Sequence, residues 1–213
     1  MLQYLDIQTT AFTLWGYPIS FIELTGTIFG LLSVYYAAKA DILTWPTAII
    51  NEIAFFGLFF QVQLYADMFL QVYFFIATCY GWYYWKRGEV ATTIYVMSLR
   101  QRGIYALVLL FGTLLLGQLV ANIHLLWPKV FPLPASYPFA DAFTTVASVM
   151  AMILLSRKRI ENWILWMAVD VVAVILYFLK DIRLIAIEYI VFFMLCVFGF
   201  IHWKQQYEST RTG

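Results

Sequence analysis

Two acidic residues stand inside strongly apolar stretches, Glu52 and Asp170, and each follows a tryptophan by seven positions, Trp45 and Trp163. Seven residues are two helical turns, so each carboxylate shares a helix face with its indole. Trp166 joins the second stripe at i+3 from Trp163, and Asn51 stands beside Glu52. An acid near the centre of a spanning helix costs about 2.5–3.5 kcal/mol on translocon scales, so both must face an interior, a cavity or a partner. A carboxylate one or two turns below an indole plane suits a flat cationic ring, which stacks on the indole while the acid balances its charge. The alternative for each acid singly is a hydrogen bond to a neighbouring helix.

Asp67 and Gln71 are one turn apart in a third apolar stretch, on a face that continues through Phe74 to Thr78. Gln71 is expected to line a substrate path or to bond between helices. Asp67, near the outer end, is expected to be a gate or helix-end residue, as are Glu23 and Asp141. Glu188 is left open between structural and lining roles. His124 and His202 lie far apart, with no HExxH and no Cys/His cluster, so no metal site is expected. Neither a Walker A loop nor a GxSxG elbow occurs, and no lysine lies inside an apolar stretch to hold retinal. No catalytic residue and no cofactor are therefore expected. The chain does not read as an enzyme.

The elements that position these residues follow from composition. Of 213 residues 63% are apolar or aromatic, 12% are charged, net charge is +1 and mean hydropathy is +0.81. Soluble domains hold about 45–50% apolar and about 25% charged residues, so the chain belongs in a bilayer. Disorder, a nucleic-acid-binding surface and a disulfide scaffold are excluded, because Cys79 and Cys196 sit inside apolar runs. A spanning helix needs about 20 apolar residues, and seven stretches qualify: 17–38, 42–60, 64–85, 104–123, 139–155, 163–179 and 184–203. Thr44 and Pro46 suit the cap and first turn of the second, and the prolines at 128, 132, 134 and 138 mark 125–138 as a loop. Trp85 and Trp203 are expected to anchor span ends at the interface. No basic residue precedes the first apolar run, so the first span is expected to be retained rather than cleaved as a signal peptide.

Alternating the loops across the membrane sorts the 13 basic residues unevenly. Lys39, Lys86, Arg87, Arg100, Arg102, Arg157, Lys158, Arg159, Lys204 and Arg211 share one side; Lys129, Lys180 and Arg183 share the other. The positive-inside rule then places the amino terminus outside and the carboxyl terminus in the cytoplasm, with Arg157, Lys158 and Arg159 as topology determinants. Sliding the chain on itself by 118 residues aligns Glu23 with Asp141, Lys39 with Arg157, Trp45 with Trp163, Glu52 with Asp170, Gly81 with Gly199, Trp85 with Trp203 and Lys86 with Lys204. The fold expected is an all-α membrane protein of seven helices, two parallel three-helix repeats joined by a linker helix (3+1+3). Its parts are an extracytoplasmic segment 1–16, a first repeat 17–85, a cytoplasmic loop and linker helix 86–123, an outer loop 124–138, a second repeat 139–203 and a cytoplasmic tail 204–213. Repeats related by an axis along the membrane normal are a transporter plan, with substrate near the midplane. A membrane-embedded enzyme or a receptor is the competing class.

The run Leu64-Tyr65-Ala66-Asp67 through Gln71 to Tyr80-Gly81-Trp82-Tyr83-Tyr84-Trp85, with Glu161-Asn162-Trp163-Ile164-Leu165-Trp166 leading to Asp170, resembles the PnuC family of bacterial vitamin transporters. The likeness extends to Glu23-Leu24-Thr25-Gly26-Thr27 and to Trp45 through Asn51. It implies a SWEET-like fold in the bacterial inner membrane and uptake of nicotinamide riboside, with thiamine or riboflavin taken by relatives. Its ring-binding Trp and polar partner fall on Trp166 and Asp170, and its polar lining on Asn51 and Gln71. Asp170, where some members have Asn, and Glu52, where aliphatic residues are common, both add negative charge, which suits the pyridinium of nicotinamide riboside or the thiazolium of thiamine. With no nucleotide-binding motif and a repeat plan suited to alternating access, facilitated diffusion is the simplest mechanism, with proton coupling through Glu52 or Asp170 as the rival; the resemblance points to trapping by a cytoplasmic kinase and implies a homo-oligomer, with a trimer as the expected form. Beyond the vitamin, that kinase and the lipid bilayer, no nucleic acid partner is expected.

Overall fold

The computed structural model of the chain describes residues 6–14, 16–61, 65–87, 93–129, 131, 133–179 and 183–212, with the side chains of 65–67, 183–185, 211 and 212 outside that description. Among the described residues a hairpin, β1 (Thr10–Leu14) and β2 (Tyr17–Ser20), precedes seven helices. These are α1 (Phe21–Ala38), α2 (Thr44–Gln61), α3 (Tyr65–Trp85), α4 (Leu99–Leu126), α5 (Pro138–Ser156), α6 (Asn162–Leu179) and α7 (Arg183–Thr212). They form two compact units, Met1–Thr93 and Ile94–Gly213. In the first, α2 packs between α1 and α3; in the second, α4 packs on α5, α5 on α6, and α6 on α7.

Five helices, α1, α4, α5, α6 and the Ala186–Thr210 part of α7, are long and apolar enough to cross a bilayer. The seven apolar stretches all become helices, but α2 and α3 fall short of that measure. The former carries Asn51, Glu52 and Gln61; the latter carries Gln71, Thr78 and many Tyr and Trp side chains. Of α4 only Gly117 is fully buried, and Leu107, Leu110, Phe111 and Leu115 are exposed.

Element ends depart from expectation in three places. Residues 17–20 belong to the hairpin rather than to the first helix: Gly16 takes φ +86°, and Ser20 caps α1 by accepting from Glu23 N at 3.3 Å. Thr44 does not cap α2, because its hydroxyl donates to Ser33 O of α1 at 3.0 Å. Beyond the apolar stretch that ends at 203, α7 continues to Thr212.

The 118-residue offset recurs in the geometry. At the α1–α2 turn Lys39 N donates to Tyr35 O, Ala40 N to Ala37 O, Asp41 N to Tyr36 O and Thr44 N to Asp41 O. At the α5–α6 turn Arg157 N donates to Ile153 O, Lys158 N to Leu155 O, Arg159 N to Leu154 O and Asn162 N to Arg159 O, each pair shifted by the same 118 residues. Ala40 and Lys158, also 118 apart, both adopt the left-handed region, at φ 54° and 49°.

Deeper in each unit a tryptophan lies on a glycine. Trp45 of α2 meets Trp85 of α3 edge to face at 5.0 Å, and a Cβ at Gly81 would overlap the Trp45 ring. Trp163 of α6 meets Trp203 of α7 edge to face at 5.5 Å, and a Cβ at Gly199 would stand 2.6 Å from the Trp163 ring. Trp85 and Trp203 are thus 2% and 0% exposed, which corrects their reading as interface anchors. In lipid, helices gain little from hydrophobic association, so close packing on small residues carries the contact. Gly81→Ala and Gly199→Ala should each lower stability by about 1–3 kcal/mol through overpacking. Gly103→Ala, whose Cβ would meet nothing within 4 Å, should be neutral or stabilising by up to about 1 kcal/mol. Thermal unfolding in detergent checks all three.

Candidate functional site

In the first unit Glu52 is 4% exposed, and its Oε1 accepts a hydrogen bond from Thr78 Oγ1 of α3. Its Oε2 is buried without a hydrogen-bond partner among the described residues. Glu52 lines a cavity of about 220 Å³ with Gln71, Ile53, Phe56, Val72 and Phe75. Asn51 turns elsewhere: its Nδ2 donates to Gly26 O of α1 at 2.8 Å, so its amide joins two helices. A Cβ on Gly26 would stand only 3.0 Å from the Phe55 ring of α2, so the bare glycine lets the two helices approach where that amide bond forms.

The second unit repeats the arrangement. Asp170 is 3% exposed and its Oδ2 accepts from Cys196 Sγ of α7 at 3.5 Å. Thr78 and Cys196 are themselves 118 apart, and each lies 26 residues beyond its acid. Sequence alone does not mark either donor as an acid's partner, although the repeat offset relates them. Trp166, half-buried, precedes Asp170 by one turn of α6. Trp45 and Trp163, on the helices that carry the acids and both 1% exposed, pack against Trp85 and Trp203.

Glu23, at the start of α1, accepts from Tyr17 Oη at 3.3 Å, and burial together with the nearby Glu23 raises the Tyr17 phenol above its usual value. Asp141 occupies the first turn of α5, where its carbonyl accepts from Thr144 and Thr145 hydroxyls. Asp67 lies on α3, with its side chain outside the described residues.

The turn between α5 and α6 holds a polar cluster that no sequence motif marks. Glu161 Oε1 accepts from Met97 N at 2.9 Å and from Arg102 Nε at 3.0 Å. Tyr95 pairs with that turn through Tyr95 N to Lys158 O and Ile160 N to Tyr95 O. Arg159 donates to Val96 O at 3.3 Å, and Lys158 is 1% exposed, with burial lowering its ammonium to about 8. Lys158 and Arg159 are therefore packing residues as well as charges. The starts of α4 and α6 and the ends of α5 and α7 gather at this end of the unit.

These features define a multi-pass helical membrane protein with a twice-used three-helix motif that buries one acid per copy. A family model described as nicotinamide mononucleotide transporter matches residues 20–205. The chain belongs to that transporter family, the PnuC family, and is not an enzyme. It is 31% identical over 211 residues to the nicotinamide riboside transporter PnuC of Escherichia coli, covering 88% of this chain and 87% of the relative. It is 26% identical to the riboflavin/roseoflavin transporter RibM of Streptomyces davaonensis, covering 92% and 91%. A crystal structure of the vitamin B3 transporter PnuC shares the fold, with TM-score 0.68 and 20% identity over 88% of this chain and 82% of that one.

Thr78→Val strips Glu52 of its hydroxyl donor and should cost about 1–3 kcal/mol. Cys196→Ser keeps a donor at Asp170 and should cost less. Urea or thermal unfolding of the two variants side by side reads the difference.

Proposed function

We propose that this protein carries a cationic, water-soluble vitamin across the bacterial inner membrane, nicotinamide riboside first and thiamine as the alternative. All seven helices span in this reading, as two parallel repeats around the linker α4, with the amino terminus outside and the carboxyl terminus in the cytoplasm. Trp166 and Asp170 contact the substrate ring from the second repeat, and Glu52 and Gln71 contribute from the first. Trp45, Trp163 and Asn51 position those side chains. The observation that carries the reading is the pair of deeply buried acids, Glu52 and Asp170, at equivalent positions of the two repeats. Buried negative charge is costly and is retained where a cation offsets it. It also disfavours a phosphorylated ligand, which adds about −1.5 to −2 charge at pH 7, so the riboside is preferred to the mononucleotide. A neutral flavin gains nothing from either carboxylate.

The same charge logic gives direction. A carrier with no nucleotide motif equalises its substrate by alternating access, and a cytoplasmic kinase traps the product, whose phosphate the acids repel. Ligand-dependent stabilisation of the purified protein should rank nicotinamide riboside or thiamine above riboflavin and nicotinamide mononucleotide. Trp166→Ala should weaken binding roughly 5- to 150-fold, the range expected for loss of one aromatic stack. Parental affinity in folded Trp166→Ala and Asp170→Ala together would remove these residues from the site.

Vesicles holding only this protein should equalise substrate, and an imposed proton gradient should drive no accumulation. Concentrative uptake under that gradient, lost in Glu52→Gln or Asp170→Asn, would replace facilitated diffusion with proton coupling. A carboxyl-terminal reporter active only outside the cytoplasm would overturn the orientation.

A further inference from the structure

The helix between the two repeats, α4, lies wholly in the second unit and is held there at several points along its length. Ahead of its first turn the chain runs beside the α5–α6 turn. Tyr95 N donates to Lys158 O at 2.9 Å and Ile160 N to Tyr95 O at 3.0 Å, a parallel bridge that pairs Tyr95 with Arg159. Side chains add to the attachment: Arg159 donates to Val96 O and sets its guanidinium 5.2 Å from the centre of the Tyr95 ring, while Glu161 accepts from Met97 N and from Arg102 of α4. Ile94 and Met97, which flank this bridge, are both buried.

Further along, two glycines bring α4 onto α5. A Cβ at Gly112 would stand 3.1 Å from a methyl of Val146, and a Cβ at Gly117 would overlap the Phe139 ring. With the bridge at its start and these contacts beyond, α4 cannot slide or pivot on α5 without breaking backbone hydrogen bonds or parting packed side chains.

The first repeat has the same turn without the attachment. Shifted by 118 residues, the bridging atoms Lys158 O and Ile160 N become Ala40 O and Ile42 N, and neither has a hydrogen-bond partner among the described residues. Arg159 becomes Asp41 and Glu161 becomes Leu43, so the charges that hold segment 94–98 are absent as well. Val146 becomes Ile28, which is 45% exposed. The two repeats share a turn, and only the second uses it to hold the linker.

We propose that α4 is a permanent fourth helix of the second half, so that the protein changes conformation as three helices against four rather than as two repeats hinged on a free linker. The inference rests on the transport reading for its purpose, since an alternating carrier moves one body against another. Segment 94–98 and turn 158–161 then stay together through the whole cycle.

Two cysteine pairs test this in the full-length protein, reconstituted in vesicles with nicotinamide riboside as the probe. Gly112→Cys/Val146→Cys puts two Cβ atoms 4.0 Å apart, within the span of a disulfide, and removes the methyl that a Cβ at Gly112 would crowd. Tyr95→Cys/Arg159→Cys joins the bridged residues. Both pairs should oxidise under a membrane-permeant oxidant, and uptake should be the same oxidised and reduced. The parent chain, with its own Cys79 and Cys196, controls for the oxidant. Uptake that is lost on oxidation and restored by dithiothreitol would show that α4 parts from α5 during transport and would overturn the proposal, as would failure of either pair to oxidise.

Amide hydrogen exchange needs no substrate. Ile160 and Ile42 occupy the same place in the two turns, so Ile160 should exchange at least about tenfold more slowly, with or without the vitamin, as one added hydrogen bond requires. Equal rates would overturn the proposal even where a cysteine variant does not fold. Absence of nicotinamide riboside uptake by the parent chain would count against the transport reading, and exchange would still decide the place of α4.

Discussion

An indole laid on a glycine holds each three-helix motif together. Lipid tails are as apolar as leucine, so helices in a bilayer stay together through contact area and polar bonds rather than through escape from water. A missing Cβ at Gly81 or Gly199 lets the neighbouring helix bring Trp45 or Trp163 against the backbone, and the edge of Trp85 or Trp203 closes the contact at right angles. Edge-to-face geometry sets the positive ring edge of one indole against the negative face of the other, which adds direction to the packing. Because each bracing Trp lies two turns before an acid on the same helix, its orientation also fixes where that acid points.

The acids are the cost this bracing makes tolerable. Each gives one oxygen to a hydroxyl or thiol on the following helix, so the carboxylate is held in one direction while the rest of its hydrogen-bonding capacity stays available. The two copies have diverged chemically within the same geometry. Glu52 has the longer side chain and a hydroxyl donor, whereas Asp170 has the shorter one and a weaker thiol donor.

The units also differ at their inter-helix turns. The α1–α2 turn is closed by its own backbone and by Asp41 Oδ1, which accepts from Leu43 N at 2.9 Å. The α5–α6 turn has the same backbone bonds but additionally takes up the chain ahead of α4, through Tyr95 pairing and through Glu161, so that α4 starts from a fixed point. Ser98 and Gln101 then cap that start reciprocally. Two arginines in the first turn of α4 oppose the helix dipole. Glu161 supplies the compensating charge for Arg102.

Sequence alone determined the apolar helices, their order, the 118-residue repeat and the two buried acids, because hydropathy over 20 residues and matched ionisable pairs are strong local signals. The family resemblance was legible in the same residues. Tertiary structure alone decided that Trp85 and Trp203 turn inward, that Thr44 bonds to α1 rather than capping α2, and that Asn51 spends its amide on Gly26. A tryptophan at a span end has the same composition whether it meets headgroups or another indole, and only the glycine opposite chooses between them. The hairpin at Thr10–Ser20 escaped because its second strand, 17–20, is apolar enough to merge with the first span, while its first strand fell in the segment before it. Nothing in the sequence marks Glu161 and Lys158 as buried, for a comparable reason: they pack against the segment before α4, some sixty residues away in sequence, and no local pattern records a contact at that distance.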